Sequence, residues 1–402
     1  MQTQEKRILQ LTFFSHMLVH LLEGIIPPII PLLLVRFETN YFRIGLIVTI
    51  FSYAFGLGSL PAGHLIDRMG AGRILLVFLI ASGASSITVV LARNYRSFFI
   101  LVTLLGLVAS LYHPTGSTLI SRGVSGRGRA FGIHGMSGSL GIAAAPFLVG
   151  ALATSFGWHA PYLVFGILSI GAGMMAIRII STYGLSVNEG SRHVAVGVNK
   201  RKSDTLVLLM MYISFAIMGM AYKASVTFLP VYLSESLGGV IRTDPVLLGA
   251  TAATLVLSAG LGGQYLGGAM GERIGVEYIY IFSSFVAGLS AIIMACTSGV
   301  FLLFVAVMQS LFAFSAQPMK NILISKYVHP DKQGKAYGLK YFMIFGVGSL
   351  AAVLSGYLGD TFGLFSVFVL TGVLYFIGSA LAVAILLRSV ARPSSGQRKK
   401  QQ

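Results

Sequence analysis

The sequence predicts an all-α membrane protein of twelve transmembrane helices arranged as two pseudo-symmetric six-helix bundles. Three observations lead there. Of 402 residues, 55% are apolar and only 10% are charged, with mean hydropathy +0.82; a soluble domain carries about 25% charged residues. Apolar runs of roughly the 20 residues that cross a bilayer recur along the whole chain. Short motifs of the first half return in the second at a near-constant offset. A soluble globular domain, a disordered chain and a disulfide-built secreted domain are thereby excluded. The single Cys296 lies in an apolar run and can form no internal bridge.

Taken in order, span 1 is expected over about 8–35. It follows Lys6 and Arg7, exceeds the length of a signal-peptide core and lacks a small-residue cleavage site, so it is expected to stay as a span. Span 2 (44–66) ends in a polar loop containing Asp67, Arg68 and Arg73, and span 3 (72–93) ends beside Arg93 and Arg96. Span 4 (97–121) runs into Arg122, Arg127 and Arg129, and spans 5 (129–155) and 6 (160–181) complete a bundle over 1–182. The only long polar interval, 183–204, carries a basic cluster and reads as a linker. Spans 7 to 12 follow at 205–235, 246–271, 276–298, 300–326, 334–360 and 364–388, giving a second bundle over 205–390 and a basic tail, 391–402. Several runs exceed the bilayer thickness, which implies tilt or wet ends.

The net charge of +17 is mostly topology. Of 29 Lys and Arg residues, 21 fall on the side of the two termini and 5 on the other, and 3 lie within spans. The positive-inside rule then predicts cytoplasmic termini and a multi-pass inner (cell) membrane protein. No nucleic-acid partner is expected.

The two halves repeat each other. Gly63-x-x-x-Asp67-Arg68-x-Gly70 returns as Gly268-x-x-x-Glu272-Arg273-x-Gly275, shifted by 205. Leu119-Ile120-Ser121-Arg122 returns as Leu323-Ile324-Ser325-Lys326, shifted by 204, and Gly150 to Gly157 as Gly356 to Gly363, shifted by 206. Two parallel bundles with a midplane site between them are a transporter architecture.

On these residues the chain resembles the major facilitator superfamily, whose signature loop between spans 2 and 3 is similar to Gly63-His64-Leu65-Ile66-Asp67-Arg68-Met69-Gly70-Ala71-Gly72-Arg73. Ser15-His16 in span 1 and Tyr112-His113-Pro114 in span 4 resemble the fosmidomycin-resistance branch of drug exporters. Where that branch often has an aspartate after Ser-His, this chain has His20. The resemblance implies the major facilitator fold and alternating access, with spans 1, 4, 7 and 10 lining a cavity and spans 2, 5, 8 and 11 beside them.

Ionisable groups within spans are costly and usually face a working cavity. His16, His20 and Glu23 fall at i, i+4 and i+7, on one helical face. Glu23, the only acid in the middle of a span, with His20 is the expected proton-coupling site; a hydrogen-bonded pair that only fixes span 1 is the plain alternative. His-x-x-x-His with Glu is also a transition-metal donor pattern, but neighbouring lysines would repel a cation, and no metal or other cofactor is expected. His16, His113, His134, Lys223, Gln317, Lys320 and Lys340 are expected to bind substrate, with Tyr112 and Tyr222 shaping the pocket or simply packing. Lys340 is the repeat partner of His134 and Gln317 that of His113. Three lysines against one Glu23 predict a positive cavity that focuses its field on an anion, unless Lys320 and Lys340 snorkel to the rim. Asp67, Arg68, Arg73, Glu272 and Arg273 are expected to latch one state or to act as static loop charges.

The expected function is proton-coupled export of an anionic or amphipathic small molecule by a monomer in the lipid bilayer. Alternatives are proton-coupled import of a small organic anion, transition-metal transport or a non-transporting membrane sensor. No phosphate-binding Gly-rich loop ending in Lys-Ser/Thr is present, so ATP drive is not expected. No nucleophile with a base and orienter is present, so no enzyme activity is expected.

Overall fold

The structure is a computed structural model that describes residues 3–124, 127–183, 205–328 and 333–391. Most of the expected linker and basic tail lies outside those residues. Among the described residues, twelve helices are long and apolar enough to cross a membrane. They are Gln4–Arg36, Tyr41–Met69, Ala71–Val89, Tyr95–Gly123, Arg129–Phe156 and Ala160–Ser181, then Thr205–Leu237, Pro245–Gly271, Val276–Ala295, Gly299–Tyr327, Lys335–Phe362 and Phe365–Arg388. Each corresponds to one expected span, and they are numbered 1 to 12 below.

Local chemistry sets the ends. The Asn40 side chain accepts from the Arg43 N–H at the start of span 2, Asn94 and Ser97 form a reciprocal cap on span 4, and Asp244 accepts from the Leu247 N–H of span 8. The repeat extends to the backbone. Gly70 (φ +86°) and Gly275 (φ +119°) stop spans 2 and 8, and Gly157 (φ +89°) and Gly363 (φ +92°) follow spans 5 and 11. A side chain at these angles would be strained, which explains why both copies keep glycine.

Three spans are interrupted, span 4 briefly at Ser110 and Leu111 between the helices Tyr95–Ala109 and Tyr112–Gly123. Span 1 breaks after Glu23 into a 3₁₀ turn at Pro27–Ile29. Span 11 contains a π turn, Phe342–Gly346, followed by a 3₁₀ turn, Val347–Ser349. Such irregular backbone survives at membrane depth only when covered by protein or lining a cavity.

The bundles meet along span 2 against span 11 and span 5 against span 8. Small residues let the backbones approach: a Cβ on Gly45 or Gly356 would strike the main chain of Ala352 or Tyr41. Thr49 of span 2 donates to the Ser349 carbonyl (2.8 Å) and accepts from the Val353 N–H (3.1 Å). Those two groups belong to the first turn of the helix that resumes at Leu350, so the hydroxyl fastens span 2 to the restart of span 11. Away from the basic side, Asp360 accepts from the Tyr41 and Phe42 N–H groups at 3.0 and 2.8 Å, capping span 2 from the other half. Phe147 N–H to Thr254 Oγ1 (2.9 Å) and Ser139 to Gln264 (2.8 Å) join spans 5 and 8. Toward the basic side the facing helices carry exposed side chains, among them Leu60, Met69, Met136 and Tyr265.

Candidate functional site

Span 1 brings His16, His20 and Glu23 to one face, against spans 4, 5 and 7. Glycine makes the room: a Cβ on Gly138 of span 5 would collide with the His16 ring, and one on Gly141 would press on the Met17 main chain. Four of the eight histidines, His16, His20, His113 and His134, are buried and converge there. The His16 ring stacks on His134 at 4.0 Å and lies edge-on to His113 at 5.3 Å.

A continuous chain of polar contacts crosses this cluster into the second half. Lys223 Nζ donates to Glu23 Oε1 at 3.0 Å, and Glu23 Oε2 lies 3.1 Å from His20 Nδ1. His20 Nε2 is 3.2 Å from His16 Nε2, and His16 Nδ1 is 2.6 Å from the His134 carbonyl. Hydrogen-bond roles follow from the last contact. A carbonyl can only accept, so His16 donates from Nδ1. With His16 neutral, its Nε2 accepts from the His20 Nε2–H. One further proton then sits between His20 Nδ1 and Glu23, held by either group. The geometry therefore describes a carboxylate that is charge-paired to a lysine on one side and shares a proton with a histidine on the other.

Glu23, His20, Lys223 and Tyr222 line a cavity of about 50 Å³ between the halves, closed by Phe51 and Pro146 among others. It has room for a few waters and no more. His113 carries the cluster across to span 11, stacking on Tyr341 (5.7 Å, 10°) and Phe345 (5.9 Å, 12°). Its Nε2 and His134 Nδ1 are buried without a hydrogen-bond partner. One ligand atom from each of His16, His20 and His113 lies within 4.8 Å of the others, a spacing a metal ion could use. In the structure His16 and His20 instead satisfy each other.

The remaining expected residues divide. Tyr112 is wholly buried, donates to the Thr12 carbonyl at 2.6 Å and packs its ring on His16. Lys320 and Lys340 are buried apart from the Lys223 cavity: Lys320 donates to Gln317 Oε1 (3.2 Å) and Lys340 to Asn321 Oδ1 (2.6 Å). On the basic side Asp67 pairs with Arg122 at 3.3 Å, within its own half, and Arg68, Arg73 and Arg273 are exposed. The Glu272 side chain lies outside the described residues. Lys326, the repeat of Arg122, pairs instead with Glu277 at 2.7 Å, and Tyr327 donates to the same carboxylate at 2.6 Å.

Sequence reasoning missed Thr49, Glu277, Asn321 and the cross-half role of Asp360. A threonine in an apolar helix carries no distinguishing signal. Asp360 carried a weak one, as one of few acids near a span end.

With this geometry established, comparison with known proteins is decisive for the family. The Major Facilitator Superfamily profile matches residues 12–260 and 211–402. The chain belongs to the Major Facilitator Superfamily. The fosmidomycin resistance protein of Escherichia coli (strain K12) is 24% identical over 353 residues, covering 86% of this chain and 84% of the relative. Among solved structures, a bacterial homolog of the human lysosomal transporter Spinster, inward-facing and unoccupied, superposes with TM-score 0.80 at 14% identity. That match covers 98% of this chain and 100% of the other. The nucleoside transporter NupG gives TM-score 0.74 at 13% identity, over 94% and 99%. This transporter of the superfamily thus has the major facilitator fold and spans the membrane twelve times.

Proposed function

We propose that the protein is an alternating-access exporter that exchanges protons for an anionic or amphipathic small molecule across the inner membrane, with both termini cytoplasmic. The observation that carries this reading is Glu23, placed between Lys223 of the opposite half and His20 inside the midplane cavity. While Glu23 is charged, the ion pair clamps spans 1 and 7 together. Either of two events breaks the pair and lets the bundles rock: a proton taken up by Glu23, or an anionic solute that takes Lys223 from it. Because the empty, paired carrier stays clamped, it crosses one way with the solute and returns with the proton, which links the two movements in opposite directions. The seam joined by Thr49 and Asp360 closes the side away from the basic face, so this conformation is read as inward-facing. Export, rather than import through the same residues, is favoured by similarity to a resistance protein.

The test uses purified protein in vesicles with fosmidomycin as the probe solute and an imposed pH gradient. The wild type is expected to accumulate the probe against its gradient and to stop when the pH gradient is collapsed. Glu23→Gln is expected to abolish gradient-driven accumulation while keeping solute-for-solute exchange. Wild-type accumulation that ignores the pH gradient, or full gradient-driven activity in Glu23→Gln, would overturn the reading.

A further inference from the structure

Proton exchange at Glu23 uses His20 and leaves the rest of the histidine cluster without a task. Three of its rings stand around a common centre. His16, His20 and His113 are 8%, 7% and 9% exposed. Their ring centres lie 4.9, 5.3 and 5.4 Å apart, and one ring nitrogen from each falls within 4.8 Å of the other two. A tetrahedral ion about 2 Å from each imidazole nitrogen spaces those nitrogens about 3.3 Å apart and the ring centres about 5.2 Å apart. The His16 and His20 Nε2 atoms are already 3.2 Å from each other. The third nitrogen has to close by at most about 1.5 Å.

The other edges of the rings are held as those of metal ligands are. His16 Nδ1 lies 2.6 Å from the His134 carbonyl and His20 Nδ1 lies 3.1 Å from the Glu23 carboxylate. A carbonyl or carboxylate on the second nitrogen orients a ligating imidazole and fixes its tautomer. His113 supplies an independent sign: its Nε2 is buried without a hydrogen-bond partner. Tyr341 and Phe345 stack on that ring and set its plane. The repulsion expected from the lysines is weakened, because Lys223 is paired with Glu23 at 3.0 Å and Lys340 is turned to Asn321 at 2.6 Å.

We infer that His16, His20 and His113 bind a divalent transition-metal ion of the zinc class, with the fourth coordination position left to water or an anion on the side of the cavity that His20 lines. In the ion-free protein a hydrogen on His20 Nε2 fills the gap to His16. The ion takes its place, that proton leaves to solvent, and the hydrogen on Nδ1 stays directed at Glu23. All three ligands come from spans 1 and 4, so the ion is held by one half and does not bridge the bundles. The site goes beyond the transport reading and stands apart from it, since proton exchange belongs to the ion-free cluster.

The experiment titrates ZnCl2 into the purified full chain, free of any histidine tag, by calorimetry. It then follows CoCl2 binding by visible absorption. One Zn2+ per chain is expected, with a Kd of about 1 μM or tighter. Co2+ is expected to give the intense blue bands of four-coordination and not the pale pink of six. X-ray absorption of the zinc-loaded protein is expected to count three imidazoles at about 2.0 Å. Mg2+, which takes oxygen ligands, is not expected to compete. His113→Phe keeps a ring against Tyr341 but removes a donor, and is expected to weaken Zn2+ binding at least about tenfold while unfolding, metal-free, near the wild-type temperature. His64→Ala, which removes an exposed histidine of span 2, is expected to leave binding unchanged. Absence of Zn2+ binding, a six-coordinate Co2+ spectrum, fewer than three imidazoles, or affinity that survives His113→Phe overturns the inference. Each readout is taken without a pH gradient, so failure of proton-driven transport sinks the exchange alone and leaves the metal site standing.

Discussion

The two halves repeat one order of six spans with matching glycine stops, and differ in where their helices are interrupted and in what they place between the bundles. The first supplies histidines and one carboxylate; the second supplies lysines. The repeat keeps Gly70 with Gly275 and Gly157 with Gly363, because those positive-φ stops admit little else. It does not keep the chemistry: His113 has become Gln317, and His134 has become Lys340. The basic-side ion pairs diverge as well. Arg122 and Lys326 are repeat partners, yet Arg122 binds Asp67 on an exposed loop end, whereas Lys326 binds a Glu277 carboxylate only 6% exposed. Duplication conserved what the helices need in order to stop and pack, while cavity side chains were free to specialise. Histidines can trade protons, and lysines can hold a charge against which trading counts.

Changes of buried charge test that contrast most strongly. Lys223→Met is expected to destabilise the protein by roughly 3–5 kcal/mol, since Glu23 would be left buried against His20 alone. Adding Glu23→Gln should recover most of the loss, as read by thermal unfolding in detergent. If Lys223→Met proves no more harmful than Lys320→Met, the distinction between a paired and an unpaired lysine fails. Next comes Glu277→Gln, which weakens two hydrogen bonds to a buried carboxylate and is expected to cost about 1.5–3 kcal/mol in the same assay.

A smaller effect, on the order of 1 kcal/mol, is expected for Thr49→Val. The hydroxyl contacts to Ser349 and Val353 are lost, so the seam between spans 2 and 11 should open more often. Cysteines placed on its flanks would report this as faster labelling from the side away from the basic face, and unchanged labelling would deny the seam its gating role. Asp67→Asn is last: its pair with Arg122 is exposed, and a loss under about 1 kcal/mol is expected. A loss matching that of Glu277→Gln would show that the two basic-side pairs are equivalent after all.

The span pattern was legible because each helix must satisfy its own backbone bonds and bury roughly 20 apolar residues, costs that a single segment carries by itself. The grouping of His16, His20 and Glu23 was legible for the same reason, since one helix face follows from spacing alone. The pairing of Glu23 with Lys223 was not. Opposite charges in spans 1 and 7 suggested a common cavity, but contact across 200 residues depends on how the bundles cross. The Lys326–Glu277 pair was equally out of reach, since its partners lie 49 residues apart on different spans.

Sequence alone therefore determined the number of helices, their approximate positions, the internal duplication and which ionisable residues fall within the spans. Hydrophobic length and desolvation cost are summed along the chain, and such sums need no partner. Only tertiary structure decided which lysine is paired with Glu23, which His16 nitrogen donates, and that Thr49 fastens a helix start 300 residues away. Those outcomes hinge on distances of about 3 Å between separate bundles, where the short range of a hydrogen bond makes the crossing geometry decisive.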